Sequence, residues 1–407
     1  MDSKVNDIGS IRLSEIQIKW LYRVSLLVLV FTALRGARFP SLWTYSHYLF
    51  NYEFGFVKRG LIGEIVRLID SDFIRSYDFF YIFSSTILLI DLMLIAIVLK
   101  RLFHKGDIAL IGIGFCYASS VAVVFLVHTI GYFDHIGLMI VLIMILLRSV
   151  KQKLVIGIIS LPVLLLIHEA LIVIFGPLIA MIILLETNKK NKIQFVLMFV
   201  YLLFVGVSTL IVSDSTISVS NSELMQYQIE NKTKIRLESE AFDVLHKSIS
   251  NNKNMMLTYW KFGESYRLLL YSIVVTLPFL MIVILFLRLN FSIIKYQNLR
   301  KKVVVYCSLS PLLLLLVAYD VFRWFTMSLT LAFLIVFFVT TSQERKTVEA
   351  GQSRLILLVI IVFFLNGITS IYLFGNSTLI GYPYFKHIRY LLEIISGSNK
   401  IPIEPTL

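Results

Sequence analysis

Three short segments with apolar flanks each hold two charged or titratable side chains next to one another or one helical turn apart. The pairs are Asp134 and His135 in "GYFDHIGL", His168 and Glu169 in "LLLIHEALIV", and Asp320 and Arg323 in "AYDVFRWF". A carboxylate beside a histidine can move protons, and an arginine can bind a phosphate or a carboxylate. Because an ionisable group buried among apolar residues is costly without a partner, each pair is a candidate for function.

Plainer interpretations exist for the same segments. "GYFDH" can be a hydrated turn that only ends a hairpin. Asp320 and Arg323 fit a structural ion pair about as well as a phosphate site. "HEALI" lacks the second histidine of a zinc-protease helix, so metal-dependent hydrolysis is not supported. Asp91, inside "STILLIDLMLIA", is either a buried partner for one of these cations or a lone packing group.

The composition requires a membrane around these segments. Of the 407 residues 58% are hydrophobic and only 15% are charged, and the mean hydropathy is +0.83. No water-soluble chain of this size has such a balance. The 2 cysteines lie inside apolar runs, so neither a disulfide framework nor a thiolate metal site is suggested. The long polar N-terminal stretch without a cleavage site predicts that the first hydrophobic helix is retained as an anchor.

The net charge of +13 lies in short connectors between apolar runs. Every second connector is basic, as in "LKRLFHK", "RSVKQK" and "KYQNLRKK", which is the positive-inside pattern and not a nucleic-acid surface. The fold class predicted is an all-α polytopic membrane protein with about eleven transmembrane helices and a cytoplasmic N-terminus. The spans are placed near 19–36, 78–99, 108–130, 135–149, 153–167, 170–186, 194–213, 267–288, 303–319, 325–341 and 355–375.

The unbroken apolar run 154–186 is much longer than the other predicted spans. As one helix it is about 50 Å long, too long for a single crossing of a bilayer. It has basic residues at both ends. We therefore predict a tight hairpin of two spans with His168 and Glu169 near the turn.

This topology gives long outer loops after the first and seventh spans, at 37–77 and 214–266, and an outer tail at 376–407. The first loop contains "NYEFGFVKRGLIGEI", which combines aromatic residues, glycines, an acid and a basic pair. Such a segment can bind a sugar and a phosphate, or it can be an amphipathic interfacial helix over 60–69. The second loop contains a helical period in "ENKTKIRLESEAFDVLHKSI" and is expected to fold as a lid.

A D-x-D pattern, Asp70 and Asp72 in "IDSDF", follows the first-loop segment. Paired carboxylates of this kind can bind a divalent ion. A helix cap and solvated turn before the second span is the favoured interpretation. No cofactor is therefore predicted, and a divalent metal is possible without being supported.

Acids, a histidine, cations and aromatic residues at the outer boundary of a membrane bundle suit one chemistry well. A sugar linked to a polyprenyl phosphate or diphosphate keeps its lipid in the bilayer and its phosphate at headgroup level. Arginine and lysine at span ends can neutralise the leaving phosphate, while a carboxylate or histidine deprotonates the attacking hydroxyl.

The overall plan, together with "NYEFGFVKRG", "GYFDH", "IHEA" and "YDVFRW", resembles the polytopic membrane glycosyltransferases of bacterial surface polysaccharides. These are the C-type lipid-linked-sugar transferases and the O-antigen or capsule repeat-unit polymerases. C-type enzymes usually carry an acidic pair early in the first outer loop, where this chain has only Glu53. The length and the second long loop favour a polymerase, and a single-sugar transferase is the alternative.

The resemblance implies roles for the candidate residues. The catalytic set is Glu53, Asp134, His135, His168 and Glu169, with Glu53 or Asp134 as general base. The substrate-binding set is Arg38, Tyr52, Phe54, Lys58, Arg59, Asp320, Arg323 and Trp324, which would hold the carrier's phosphates and line the sugar or prenyl path.

The resemblance also implies an environment for the chain. We expect one integral membrane domain over 1–407 in a bacterial plasma membrane, with its site facing outward. Expected partners are a polyprenyl-linked saccharide, membrane lipid and other polysaccharide-assembly proteins. A transporter or flippase of lipid-linked oligosaccharide is the rival, and it should place charges along the spans and show related halves. A non-catalytic scaffold predicts that the charged tips do not converge.

Overall fold

The computed structural model describes residues 13–186, 192–261, 263–290, 306–318 and 320–341, with short pieces after residue 357. These parts are helical apart from two-residue antiparallel strands, Tyr372–Leu373 and Asn376–Ser377. Most of the expected tail 376–407 and most of the expected span 355–375 lie outside the described residues.

The helices follow the apolar runs and the connectors between them. The α-helices are α1 (Glu15–Gly36), α2 (Leu42–Leu49), α3 (Leu61–Ile69), α4 (Asp72–Arg75), α5 (Tyr77–Phe103), α6 (Ile108–Ala118), α7 (Val121–His128), α8 (Asp134–Leu146), α9 (Val150–Ile167), α10 (Ala170–Glu186), α11 (Lys192–Asp214), α12 (Val219–Thr233), α13 (Ser239–Phe242), α14 (Ile249–Tyr259), α15 (Gly263–Asn290) and α16 (Val321–Thr341). Two 3₁₀ helices span Asp243–Leu245 and Ser310–Leu316.

Seven helical segments within the described ranges are long and apolar enough to cross a membrane, so the chain is a multi-pass membrane protein. They are Glu15–Gly36, Tyr77–Phe103, Ile108–His128, Val150–Ile167, Val196–Asp214, Tyr266–Ile284 and Val321–Thr341. The expected spans 135–149, 170–186 and 303–319 correspond to shorter apolar helices. The helical membrane fold is thus confirmed, whereas the total of eleven spans stays a prediction.

Local sequence explains two of the shorter helices. Helix α8 ends at Leu146, because Leu147 is extended and the Ser149 hydroxyl already caps α9 by accepting from the Gln152 amide. At 13 residues α8 is about 20 Å long, less than a hydrocarbon core. Pro311 stands in the first turn of the 3₁₀ helix. Because proline has no backbone N–H, it cannot make the hydrogen bond that a longer α-helix would need at this position.

The run 154–186 forms the expected hairpin. Helices α9 and α10 pack against each other and meet at His168 and Glu169. Helix α16 lies at the centre of the bundle, buried along most of its length, and contacts α15, α7 and α10.

The bundle has two chemically different ends. At one end, Arg101 in the last turn of α5 donates to the Leu146 carbonyl at 2.8 Å, which brings the basic segments 99–105 and 148–153 together. At the other end lie the first loop, the α7–α8 turn, the α9–α10 turn and the start of α16. We call this second end the charged end, because ion pairs link these four segments there.

The two long loops fold against each other at the charged end. Buried aromatic residues of α2 pack with α12 and α13, and the Phe50 and Phe242 rings lie 5.0 Å apart. Helix α3 matches the expected 60–69 helix and exposes Ile65 and Leu68, as an interfacial helix does. The helical period expected over 230–249 is interrupted, since α12 ends at Lys234 in a left-handed conformation with φ of 58°.

Candidate functional site

The charged end is held together by an ion pair between the first loop and the α9–α10 turn. Arg59 donates from Nε and Nη2 to both carboxylate oxygens of Glu169, at 2.7–3.2 Å. The side chains are only 15% and 14% exposed. Burial raises the pKa of the Glu169 carboxyl, but the charge and hydrogen bonds of Arg59, together with His168 and Lys58, outweigh it, so this pKa lies well below its usual range. Nη1 of Arg59 donates no hydrogen bond to the described residues, which leaves its N–H groups for a ligand.

The backbone at Arg59 adopts a left-handed conformation with φ of 68°. A residue with a side chain holds that conformation at a cost of about 1–3 kcal/mol. The following Gly60 approaches the Tyr52 ring so closely that a Cβ atom would overlap it. The loop therefore accepts strain at the residue that reaches Glu169, and such strain clusters at binding and active sites.

A second buried ion pair joins the α7–α8 turn to α16. Arg323 donates from Nε and Nη2 to the two Asp134 oxygens at 2.7 and 2.9 Å, and from Nη1 to Asp320 at 3.0 Å. The guanidinium lies 4.7 Å from the ring centres of both Tyr132 and Trp324. Asp134 is fully buried, so the interpretation of "GYFDH" as a hydrated turn is wrong. The charge of Arg323 offsets the cost of burying this carboxylate.

His168 lies between the two ion pairs. The charges of Arg59, Glu169, Arg323 and Asp134 all act on it. Its Nδ1 accepts the Ala170 backbone N–H at 3.1 Å, so the neutral ring carries its proton on Nε2. Burial, followed by the Arg59 charge, lowers the pKa of His168 to about 3. His168 is therefore neutral near pH 7.

This lowered pKa predicts a dependence of stability on pH. The unfolded chain takes up the proton below pH 6.5, whereas folded His168 does so only near its pKa of about 3. Stability is thus complete above pH 6.5 and falls as the pH drops, with a His168 contribution of up to about 1.4 kcal/mol per pH unit. We expect His168→Gln, which can still accept the Ala170 N–H, to show a shallower decrease in the free energy of unfolding in detergent between pH 6.5 and 5. Equal slopes in the two proteins would contradict the assignment.

His47 belongs to the same cluster, although it is not among the residues predicted from sequence. It is buried between the rings of Trp43 and Phe50, and its Nε2 has no hydrogen-bond partner among the described residues. Burial, then the Arg59 charge and the neighbouring His168, hold the pKa of His47 well below 6.5. The available signal was a histidine within the aromatic "LWTYSHYLF" of α2, a segment that reads as membrane interface.

Lys58 is buried and binds backbone, where the sequence predicted a phosphate ligand. Its Nζ donates to the carbonyls of Lys247 and Ser213 at 2.6 and 3.3 Å, which ties the first loop to the second. Burial lowers the pKa of Lys58, although the Glu169 charge opposes this. Lys58 thus positions its neighbour Arg59 and adds positive charge near Glu169.

His135 does not share the surroundings of Asp134. Its Nδ1 lies 2.9 Å from Asp91 of α5 and its Nε2 lies 3.2 Å from the Thr129 carbonyl. A carbonyl only accepts, so Nε2 carries a proton and a second proton is shared between His135 and Asp91. The expected acid–base role of His135 at the tip is therefore not supported by its position. Asp91 proves to be a buried partner, as one of the two interpretations proposed.

Several other predicted residues lie away from the cluster. Glu53 and Phe54 line a separate groove. Tyr52 stacks on Phe56 at 5.5 Å, and its backbone N–H donates to Glu64. A residue six positions from Arg59 in a turn-rich loop can point in any direction, which is why sequence proximity was misleading here.

Arg38 and the D-x-D acids are engaged with protein groups. Arg38 donates to the His128 carbonyl at 2.6 Å and acts electrostatically on Tyr132. Asp70 and Asp72 both pair with Arg75, which agrees with the structural interpretation of this motif. Within residues 13–186 and the later described ranges, no group of three or more His, Cys, Asp and Glu side chains is placed to hold a metal ion.

The arrangement is suited to binding an anion. Four cations and four carboxylates interact at the charged end, so their charges balance, and His47 and His168 are neutral. The cations are Arg38, Lys58, Arg59 and Arg323, and the carboxylates are Asp134, Glu169, Asp214 and Asp320. The arginine N–H groups that bind no carboxylate can still attract a phosphate, and the buried environment makes this attraction stronger than it would be in water.

Comparisons of the chain with protein-family models, with curated proteins and with solved structures find no match.

Proposed function

We propose that this chain is a membrane glycosyltransferase that moves a sugar or oligosaccharide from a polyprenyl phosphate or diphosphate carrier to a hydroxyl of a glycan. A repeat-unit polymerase of a surface polysaccharide is the favoured form. The observation that carries the proposal is the buried set of two arginine–carboxylate pairs, built from four separate segments at one end of a membrane bundle. A purely structural bundle has little need for it, because buried ion pairs add little stability over apolar packing.

In this proposal the arginines bind the carrier's phosphate. The carrier's lipid lies in the bilayer and its phosphate reaches the charged end at headgroup depth. Nη1 of Arg59 offers its N–H groups, and Arg323 retains N–H groups beyond those bound by Asp134 and Asp320. As the bond from the anomeric carbon to the phosphate oxygen breaks, the electron pair stays on that oxygen. These fixed charges stabilise it.

His47 is the proposed proton acceptor. The acceptor hydroxyl oxygen attacks the anomeric carbon, and its proton passes to the unpartnered Nε2 of His47. A bound phosphate beside Arg59 offsets the charge that otherwise disfavours protonation of this ring. Asp134 accepts two hydrogen bonds from Arg323 and is better placed to hold that arginine than to act as a base.

The orientation in the membrane follows from the charge pattern. The basic segments 99–105 and 148–153 lie at the end of the bundle opposite the ion pairs, and basic connectors favour the cytoplasmic side. In the proposal the site therefore faces the exterior or periplasm of a bacterial plasma membrane, where polymerisation needs it.

A reconstituted assay tests the role of His47. The full chain is placed in vesicles with a polyprenyl diphosphate-linked oligosaccharide, and release of polyprenyl diphosphate is measured. We expect His47→Gln to lower the rate at least about 100-fold, the usual contribution of a general base. His104→Gln, an exposed histidine after α5 at the opposite end, is the matched control and should keep the rate. Equal rates in wild type and His47→Gln would refute this role.

A second candidate function is transport of a lipid-linked oligosaccharide. It is favoured by the buried Asp91–His135 pair, which holds a shared proton between α5 and α8. A flippase would move the carrier across the membrane without releasing polyprenyl diphosphate, so the same vesicles separate the two functions.

A further inference from the structure

A shallow groove open to solvent lies between the first loop and α12. One wall carries Asn51, Glu53 and Phe54 of the first loop, and the other carries Gln228 and Lys232 of α12. The packing that brings the two loops together is apolar and aromatic, so these polar groups are not what holds the walls in place.

The polar groups of the groove form a hydrogen-bonding pair across it. With its amide nitrogen turned toward Glu53, Gln228 donates to both carboxylate oxygens at 3.2 and 3.3 Å. The Glu53 backbone N–H in turn donates to Asn51 at 3.0 Å. A carboxylate and a side-chain amide beside an aromatic ring are the groups that bind sugar hydroxyls and stack on a sugar ring.

The charges of the groove favour an uncharged ligand. Arg67 is paired with Glu64, and Arg75 is paired with Asp70 and Asp72. Lys232 is exposed, and its positive charge balances the negative charge of Glu53. An anionic ligand would meet the Glu53 carboxylate without a surplus of cations to offset it.

The groove is close to the proposed reaction centre. Glu53 and Arg59 are six residues apart, so their Cα atoms lie at most about 21 Å from each other. A chain of a few sugars covers that distance. A glycan bound beside Glu53 can therefore present its terminal hydroxyl to the site around Arg59.

We infer that this groove binds a neutral oligosaccharide, the growing or acceptor glycan of the transfer reaction. The inference rests on the proposed function for the identity of the glycan, while saccharide binding itself can be measured without turnover. Glu53 and Gln228 are assigned as binding residues, not as catalytic ones. Gly63 lets α3 pack closely against the first loop beside the groove, since a Cβ there would overlap the Phe50 carbonyl.

The test uses the purified full chain on an array of defined neutral and acidic oligosaccharides, followed by titration of the best neutral binder. We expect binding of neutral saccharides, weakened at least about 5-fold by Glu53→Ala and by Gln228→Ala. Glu223→Gln, an exposed acid on α12 that does not line the groove, should bind like wild type. Retained thermal stability in the variants shows that folding is intact.

The outcomes separate this inference from the proposed function. Failure to bind any neutral saccharide, a preference for acidic ones, or unchanged affinity in both groove variants overturns the inference, even if the chain transfers sugars. Groove-dependent binding in a chain that never releases polyprenyl diphosphate upholds the groove as a saccharide site and refutes the transferase.

Discussion

Replacing Arg59 with alanine is expected to abolish sugar transfer, with a loss of at least about 1,000-fold. The change removes the N–H groups proposed to hold the phosphate and leaves Glu169 buried beside His168 without its cation. A phosphate would then lie beside an uncompensated carboxylate. The phosphate binds more weakly, and the barrier to bond cleavage rises. Arg59→Lys should rescue little, because an ammonium cannot make the paired contacts to the Glu169 carboxylate.

Loss of folding is the competing explanation, because removing one member of a buried ion pair costs about 3–5 kcal/mol. The double variant Arg59→Met with Glu169→Leu removes both charges and keeps the volume. Apolar replacement of a complete buried pair is usually neutral for stability. We expect this variant to be folded, with a melting temperature close to wild type in detergent, and inactive. A folded double variant that still transfers sugars would show that the pair only supports the structure.

Asp134→Asn is expected to be the most destabilising of the conservative substitutions at the charged end. Arg323 is 7% exposed, and Asp134 supplies two of its three carboxylate contacts from a fully buried position. Without that charge the guanidinium is largely uncompensated, at a cost of about 3–5 kcal/mol. Chemical unfolding in detergent measures the change in free energy.

Asp320→Asn is the matched control for this substitution. Asp320 receives one hydrogen bond from the same arginine and is 22% exposed, so its loss should cost only about 1 kcal/mol. If both substitutions lower the free energy of unfolding equally, then Arg323 is not held in place mainly by Asp134.

Much of this arrangement could be predicted from sequence because the cost of burying charge is a local property. Ionisable pairs such as His168 and Glu169, flanked by long apolar runs, had to lie at helix ends or find partners. The hairpin of α9 and α10 followed from the length of a membrane crossing. The expected pairing of Asp320 with Arg323 followed from helical spacing and is present at 3.0 Å.

Partners distant in sequence could not be predicted in the same way. The Arg59–Glu169 contact joins residues 110 positions apart, and the Arg323–Asp134 contact joins residues 189 positions apart. Adjacent residues also separated: Asp134 faces α16 while His135 faces α5, because successive helical positions differ by about 100° in direction. The signal at His47 was weak because a single histidine among aromatic residues has many structural explanations.

The central claim of the proposed function is that the chain extends a surface polysaccharide. We would delete the gene in the organism that encodes it, and restore either the wild type or the double variant Arg59→Met with Glu169→Leu. Surface polysaccharide is then resolved by gel. The account predicts chains of one repeat unit in the deletion strain, a full ladder with the wild type, and no ladder with the double variant. A ladder that keeps its length but lacks one sugar would assign the chain as a single-sugar transferase, and a polysaccharide unchanged by deletion would contradict the account.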